Sequence, residues 1–345
     1  MHIPTSPQCE FHKQSSSYTF CKVTVALLAA GICLPTLAHA ETNALTQPVI
    51  QWPENLPTRP ADLENPTPNG FVDETVYTFD AWTGKKPVSL TESRNWNTDV
   101  ILNYTKASGD RDRLPNPIEA NTQVKLDFTD HTLRLFTKDM RGGTAISSKS
   151  KGDLTLVGNK LEVLAESPQH VVYADGGDIT LDVDDVWLEG VGDSVSGLQV
   201  VRSQGDVVLN SNSFVAISSG ELKQSSSSNP SSDNAIFSVQ GNLAASGGKY
   251  FLHVADGTAN ANGAVGVHVS QSSNLSLGSA DQALNLLSVT GVGYGFYFED
   301  YNRDGNFLVN ADNLYVETVS KGGAIHTESR STRTATCIFK LKMRC

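Results

Sequence analysis

Gly152-Asp153-Leu154-Thr155-Leu156 returns along the chain, and its return decides the fold. Close copies stand at Gly177-Asp178-Ile179-Thr180-Leu181 and Gly205-Asp206-Val207-Val208-Leu209. Looser copies are Gly241-Asn242-Leu243, Ser273-Asn274-Leu275-Ser276-Leu277 and Gly305-Asn306-Phe307-Leu308-Val309. The second residue falls at 153, 178, 206, 242, 274 and 306, in steps of 25, 28, 36, 32 and 32. A period of this length marks stacked supersecondary units, none of which can bury its apolar face alone.

Each copy carries three short apolar runs. The first follows the Gly-Asp/Asn corner. The second lies a few residues on, as in Leu161-Glu162-Val163-Leu164 and Phe214-Val215-Ala216-Ile217. The third precedes the next corner, as in Val171-Val172-Tyr173 and Phe296-Tyr297-Phe298. The runs alternate or are rich in β-branched and aromatic residues, and Gly, Asn, Asp and Ser punctuate them, so they read as strands. The predicted fold is all-β, a parallel β-solenoid with three strands per coil. Leu154 and Leu156 then stack over Ile179 and Leu181, and these over Val207 and Leu209.

Gly at the corner suits a positive φ, and Asp or Asn there can bond nearby backbone. Stacked carboxylates one coil apart would repel by roughly 1 kcal/mol even in water, so Asp153, Asp178 and Asp206 are expected to face solvent. Asn242, Asn274 and Asn306 are placed to form an amide ladder.

The chain has 345 residues and a formal net charge of −11 without a basic stripe, which argues against nucleic acid as a partner. Residues 1–40 read as a secretory signal with a long polar start. Its apolar stretch at 23–37 is too short to span a bilayer comfortably, and Ala38-His39-Ala40 has the small-x-small cleavage pattern. Ile32, in place of a small residue before Cys33, argues against a lipoprotein. Cys9, Cys21 and Cys33 would leave with the signal, and Cys337 and Cys345 stand at the far end. Stacking, not disulfides, must therefore hold the body.

Residues 41–70 contain Pro48, Pro53, Pro57, Pro60, Pro66 and Pro68 and read as a disordered leader unable to build a core. Residues 71–120 are assigned to an N-terminal cap and residues 121–327 to the repeats, whose first regular coil opens at Val124-Lys125-Leu126. Two turns swell, at 218–234 and 256–263, and are read as solvated loops. Insertions on one edge of a solenoid are also where binding surfaces can sit.

A secretory signal with an extended polar start, a cysteine-free body and Gly-Asp/Asn-led coils together resemble the passenger region of bacterial autotransporters. The likeness covers the signal and residues 121–327, and it rests on pattern, not on one motif. It implies a right-handed parallel β-helix, carried to the cell surface or outer membrane, or secreted, by a C-terminal outer-membrane barrel. It also implies an adhesin-type role, with a host-surface or extracellular-matrix molecule or a glycan as partner. This chain departs from the family in ending without a barrel, so retention in the periplasm is expected for it. After Asn306 a further corner is due near 336, but residues 328–345 run Thr334-Ala335-Thr336-Cys337-Ile338-Phe339 and on to Cys345, basic and out of pattern. Read two nucleotides later from Thr334, permitted codons spell a corner and strand, so a frameshift truncating a longer protein is the expected origin of this tail.

The other function class for such a fold is a secreted polysaccharide lyase or hydrolase, which needs paired carboxylates or a calcium site with a basic group. An acidic pair in a groove beside a basic residue would favour that enzyme; a featureless long face would favour adhesion. Asp182, Asp184 and Asp185 form the densest acidic cluster, but no Lys or Arg is read at the matching place in neighbouring coils, so they are read as a solvated turn. No Gly-x-Ser-x-Gly and no His-Glu-x-x-His occurs. Asp300, Asn302 and Asp304 open a calcium-loop pattern, yet Ala311 stands where its closing Glu belongs, and Gly305-Asn306 already serve as a corner. The sequence therefore assigns no catalytic, cofactor-binding or metal-ligating residue, and the protein is read as a non-enzymatic passenger.

Overall fold

The computed structural model describes residues 23–25, 55–61, 63, 75–80, 90–105, 116–140, 142–150, 152–193, 197–224, 233–270, 273–299, 305–319, 323–327 and 337–341. Seven coils follow one another, opening at Val124, Leu154, Ile179, Val207, Asn242, Asn274 and Phe307. Equivalent strands of successive coils pair in parallel, in a 14-stranded sheet and an 8-stranded sheet. The all-β parallel solenoid is thus present. Among the described residues the one helical turn is the 3-10 turn Ala261–Gly263.

The register follows the repeats. Leu154 pairs with Ile179 and Ile179 with Val207; Leu156 pairs with Leu181 and Leu181 with Leu209. Leu126 continues this column on one side, and Ala245, Leu277 and Val309 on the other. The short sheet builds a facing column from Ile118, Ile146, Val172, Val201, Phe237, Val267 and Phe296. Both columns belong to one continuous buried core. Each such side chain contributes about 1.5–3 kcal/mol by leaving water, which a single coil could not achieve.

The first two runs of a coil are not separate strands in the first five coils. They join as Val124–Lys138, Leu154–Glu166, Ile179–Asp193, Val207–Glu221 and Asn242–Val254. The pairing register is the same on both sides of the corner, since Asp182 lies opposite Asn210 and Asp185 opposite Ser213. Side-chain alternation slips there instead: Ile179, Leu181 and Val183 are buried, then Val186 and Leu188, with Asp184 and Asp185 both exposed between them. Only in the last two coils are the runs distinct, as Asn274–Leu277 with Leu286–Val292 and Phe307–Ala311 with Leu314–Thr318.

The corner glycines serve a purpose other than positive φ. Gly152, Gly177, Gly205 and Gly241 are absent from the residues with positive φ; in that corner only the preceding Gly176 adopts it, at +79°. What they share is close approach. A Cβ at Gly205 would meet the Gly177 carbonyl oxygen at 2.2 Å, and one at Gly241 would meet the Gly205 oxygen at 2.4 Å.

Beside this glycine column the Asp and Asn side chains form a ladder. All six are exposed, as expected for the aspartates. Asn274 Nδ2 donates to Asn242 Oδ1 at 2.7 Å, and the Asn306 backbone N–H donates to Asn274 Oδ1 at 3.0 Å. The ladder also runs through the aspartates. Asn242 Nδ2 donates to Asp206 Oδ1 at 2.7 Å, and the Asp206 N–H to Asp178 Oδ1 at 2.9 Å. The Asp178 N–H then donates to Asp153 Oδ1 at 3.3 Å. Each carboxylate accepts an N–H from the next coil, a backbone one at Asp153 and Asp178 and the Asn242 amide at Asp206, which offsets the like-charge stacking.

At the first end, Thr75–Asp80 pairs with Val100–Thr105, which pairs with the second half of Val124–Lys138. At the other, Cys337–Leu341 pairs in register with Phe307–Ala311, and Val23–Val25 pairs beyond it. The two insertions are laced together and are not simply solvated. The Leu222 N–H donates to Ala259 O at 3.1 Å and the Ala259 N–H to Gly220 O at 3.0 Å, while Leu222 itself enters the core.

Candidate functional site

Outward positions on a solenoid sheet are ordinarily polar, but one stretch of the 14-stranded sheet is not. Phe136, Leu164, Trp187, Val215, Ile217 and Phe251 point away from the core and form a second buried apolar cluster. Residues 55–61 and 63 of the Pro-rich stretch lie over it. Leu63 sits within that cluster at 2% exposure. Arg59 Nε donates to Glu189 Oε2 at 2.8 Å, and Trp187 Nε1 donates to the same oxygen at 3.1 Å. A segment that builds no core of its own is thus held on a surface the coils leave apolar.

Between segment and sheet lies a half-open cleft of about 260 Å³. Pro57 and Pro60 form one wall; Lys160, Glu162, Asp185 and Trp187 rise from the sheet opposite. Glu162 takes both Nε (2.8 Å) and Nη2 (2.6 Å) of Arg134 on one oxygen, in a pair largely withdrawn from water. Asp182, Asp184 and Asp185 are all exposed, and Asp184 accepts from Asn212 Nδ2 at 2.8 Å.

The expectation that no base stands near this cluster is overturned, because Lys160 lies directly opposite Asp185 on the neighbouring coil. The offset was open to reading: Lys160 stands as far beyond Asp153 as Asp185 beyond Asp178 (160 − 153 = 185 − 178 = 7). The cleft itself carried no sequence signal, since its two walls are some 130 residues apart, as the Arg59–Glu189 bond shows.

The outer side of the short sheet carries a different surface. Ser147, Tyr173, Arg202, Ser238, His268, Tyr297 and His326 form one row in register. The Arg202 guanidinium lies 5.1 Å from the Tyr173 ring centroid and donates to Gln240 Oε1 at 2.9 Å. Tyr173 donates its hydroxyl to Gln204 Oε1 at 2.6 Å. Further along, His268 stacks on Tyr297 at 5.3 Å, and Tyr297 stacks on His326 at 5.3 Å. Tyr294 meets both Tyr297 and His326 edge-on. Tyr173, Arg202, Tyr294 and His326 are half-buried and Gln204 is exposed, whereas Ser147, Ser238, His268 and Tyr297 are buried.

Burial pushes the Tyr173 phenol up to about 12, so it stays protonated and can donate. Burial also pushes Asp175 upward, but Lys149 at 3.0 Å outweighs it and holds the carboxyl below the usual range. This face is therefore planar, rich in hydrogen-bonding groups and charge-balanced. It can bind; the hydroxyl–imidazole pair beside it, Thr144 Oγ1 with His170 Nδ1 at 3.3 Å, is buried.

Among the described residues no group of three or more His, Cys, Asp or Glu is placed to hold a metal ion. Asp300, Asn302 and Asp304 lie outside the described residues, while Ala311, at the closing position of that pattern, is buried in the core. No helix among the described residues is long and apolar enough to cross a membrane, which says nothing of spanning strands. Comparison with known proteins finds no matching family model, no similar curated protein and no similar solved structure.

Proposed function

We propose that this chain is an exported, autotransporter-type β-solenoid passenger that acts as a non-enzymatic adhesin. Its recognition face is the outer side of the short sheet. The observation that carries this reading is the row of planar groups, Tyr173 and Arg202 on adjacent coils and, past Ser238, His268, Tyr297 and His326 on the next three, with Tyr173, Arg202 and His326 reaching solvent. Rigidly spaced aromatic and Arg side chains are the groups that dominate recognition energetics. Their spacing of about 4.8 Å per coil suits an extended ligand on a host surface, in matrix or in a glycan.

The test is binding of the purified chain to immobilised matrix proteins and glycan arrays, beside a Tyr173→Ala/Arg202→Ala/Tyr294→Ala variant. Binding that the triple variant retains in full would reject the face. For export, the expected mature N-terminus is Glu41 in the periplasmic or extracellular fraction; a chain starting at Met1 in the cytoplasm would reject passage.

A second reading, a carbohydrate-active enzyme, is favoured by Glu162 and Asp185 lining a cleft beside Lys160. Against it, one Glu162 oxygen is already engaged by two Arg134 nitrogens in a pair largely withdrawn from water. Release of reducing ends from polysaccharides by the wild type but not by Glu162→Gln would establish this alternative.

A further inference from the structure

We propose that the cleft between residues 55–63 and the 14-stranded sheet is a binding site for a single neutral saccharide unit. It lies on a different sheet from the face discussed above and stands whether or not that face binds a receptor. Three observations carry it.

The first is size. About 260 Å³ falls just below the range of roughly 300–1,000 Å³ that holds drug-sized ligands, so one sugar ring fits where a folded peptide would not. The second is the division of the walls. Trp187, Pro57 and Pro60 give apolar surface, whereas Lys160 and Asp185 give a donor and an acceptor at the rim. A pyranose has this same division, with a C–H face and a hydroxyl edge, and amphipathic aromatic side chains pair with such faces.

The third is charge. Asp185 stands opposite Lys160, and Glu162 is matched by Arg134, so the lining sums to near zero. A charged sugar would leave water without gaining a counter-charge, and neutral sugars are selected by that difference. Because Pro57 and Pro60 form one wall, the bound sugar also holds residues 55–63 against the sheet.

The experiment is saturation-transfer NMR and titration of the intact chain with glucose, galactose, mannose and N-acetylglucosamine, with glucuronic acid as the charged comparator. Saturable binding of at least one neutral sugar is expected, with glucuronic acid weaker by about tenfold or more. Asp185→Asn and Lys160→Gln, each at an exposed position and so without effect on folding, are each expected to weaken binding by about tenfold, the value of one charge-assisted hydrogen bond. No saturable binding of any of the four sugars would overturn the proposal. So would binding that both variants leave unchanged, or glucuronic acid binding as tightly as the neutral sugars.

Discussion

An alanine methyl at position 177 would come within 2.3 Å of the carbonyl oxygens of both Gly152 and Lys149. Those oxygens belong to paired backbone of the neighbouring coil and cannot turn aside, so the coils themselves must part. Gly257 is a glycine for the opposite reason: its φ is +78° and nothing lies within 4 Å of the added carbon. Gly177→Ala is expected to cost about 2–3 kcal/mol, as an overpacked core does. Gly257→Ala should cost about 1–2 kcal/mol, the strain of a left-handed residue. Urea midpoints measure both, and a larger loss at 257 would refute the close-approach account.

His253 adds a pH dependence. Burial pushes its imidazole below the usual histidine range, more than Asp256 and Glu317 pull it up, and its Nδ1 lies 2.8 Å from Thr290 Oγ1. The stability of the neutral form is fully present above the unfolded value and is lost as pH falls through the lowered folded one. Wild type should therefore lose more Tm between pH 7 and pH 5 than His253→Gln; parallel slopes would reject this.

At the scale of the element, residues 55–61 and 63 are a strap, and two of its contacts are unequal. The Arg59–Glu189 pair has one partner 38% exposed, and solvent limits such pairs to about 1 kcal/mol or less. Leu63 is the stronger anchor, since replacing a fully buried leucine by alanine costs about 2–5 kcal/mol. Leu63→Ala should release the strap, giving fast amide exchange and protease cutting at 55–63 while the coils keep their protection. Unchanged exchange there would show that the strap is held by something else.

The strap marks the limit of what the sequence could reveal. The stacking of Leu156, Leu181 and Leu209 was legible because each coil touches only its neighbours, at an offset fixed by the corner. By the same logic Lys160 beside Asp185 is legible, seven residues past its own corner as Asp185 is past the next. The row through Tyr173, His268 and Tyr297 was legible too, each residue following an inward Val172, Val267 or Phe296 by one. The joining of two runs into Ile179–Asp193 was hidden, since Asp182, Asp184 and Asp185 resemble a turn while the strand pairing keeps one register on both sides of Asp184. Leu63 offered no periodicity at all among its prolines.

Across the whole molecule, one apolar cluster runs from Leu90 to Ala311 without a disulfide to tie distant coils together. Stability in such a stack is close to a sum of coil terms and neighbour interfaces, so position along the axis decides what a lesion does. Phe214 lies near the middle, fully buried, with ring centroids 5.2 Å from Tyr250 and 5.9 Å from Phe237. Phe307, at 4% exposure, packs on Phe298 at 4.9 Å in the last coil. Both removals leave a cavity worth about 3–5 kcal/mol locally. Phe214→Ala weakens the interfaces on both sides of its coil, so unfolding should split into two denaturant transitions, each with a smaller slope than the single wild-type step. Phe307→Ala should loosen only the last coils, leaving amide protection from Val124 to Val254 at its wild-type level. If Phe214→Ala instead unfolds in one step with the full slope, the solenoid is a single cooperative block and coil-by-coil reasoning fails for it.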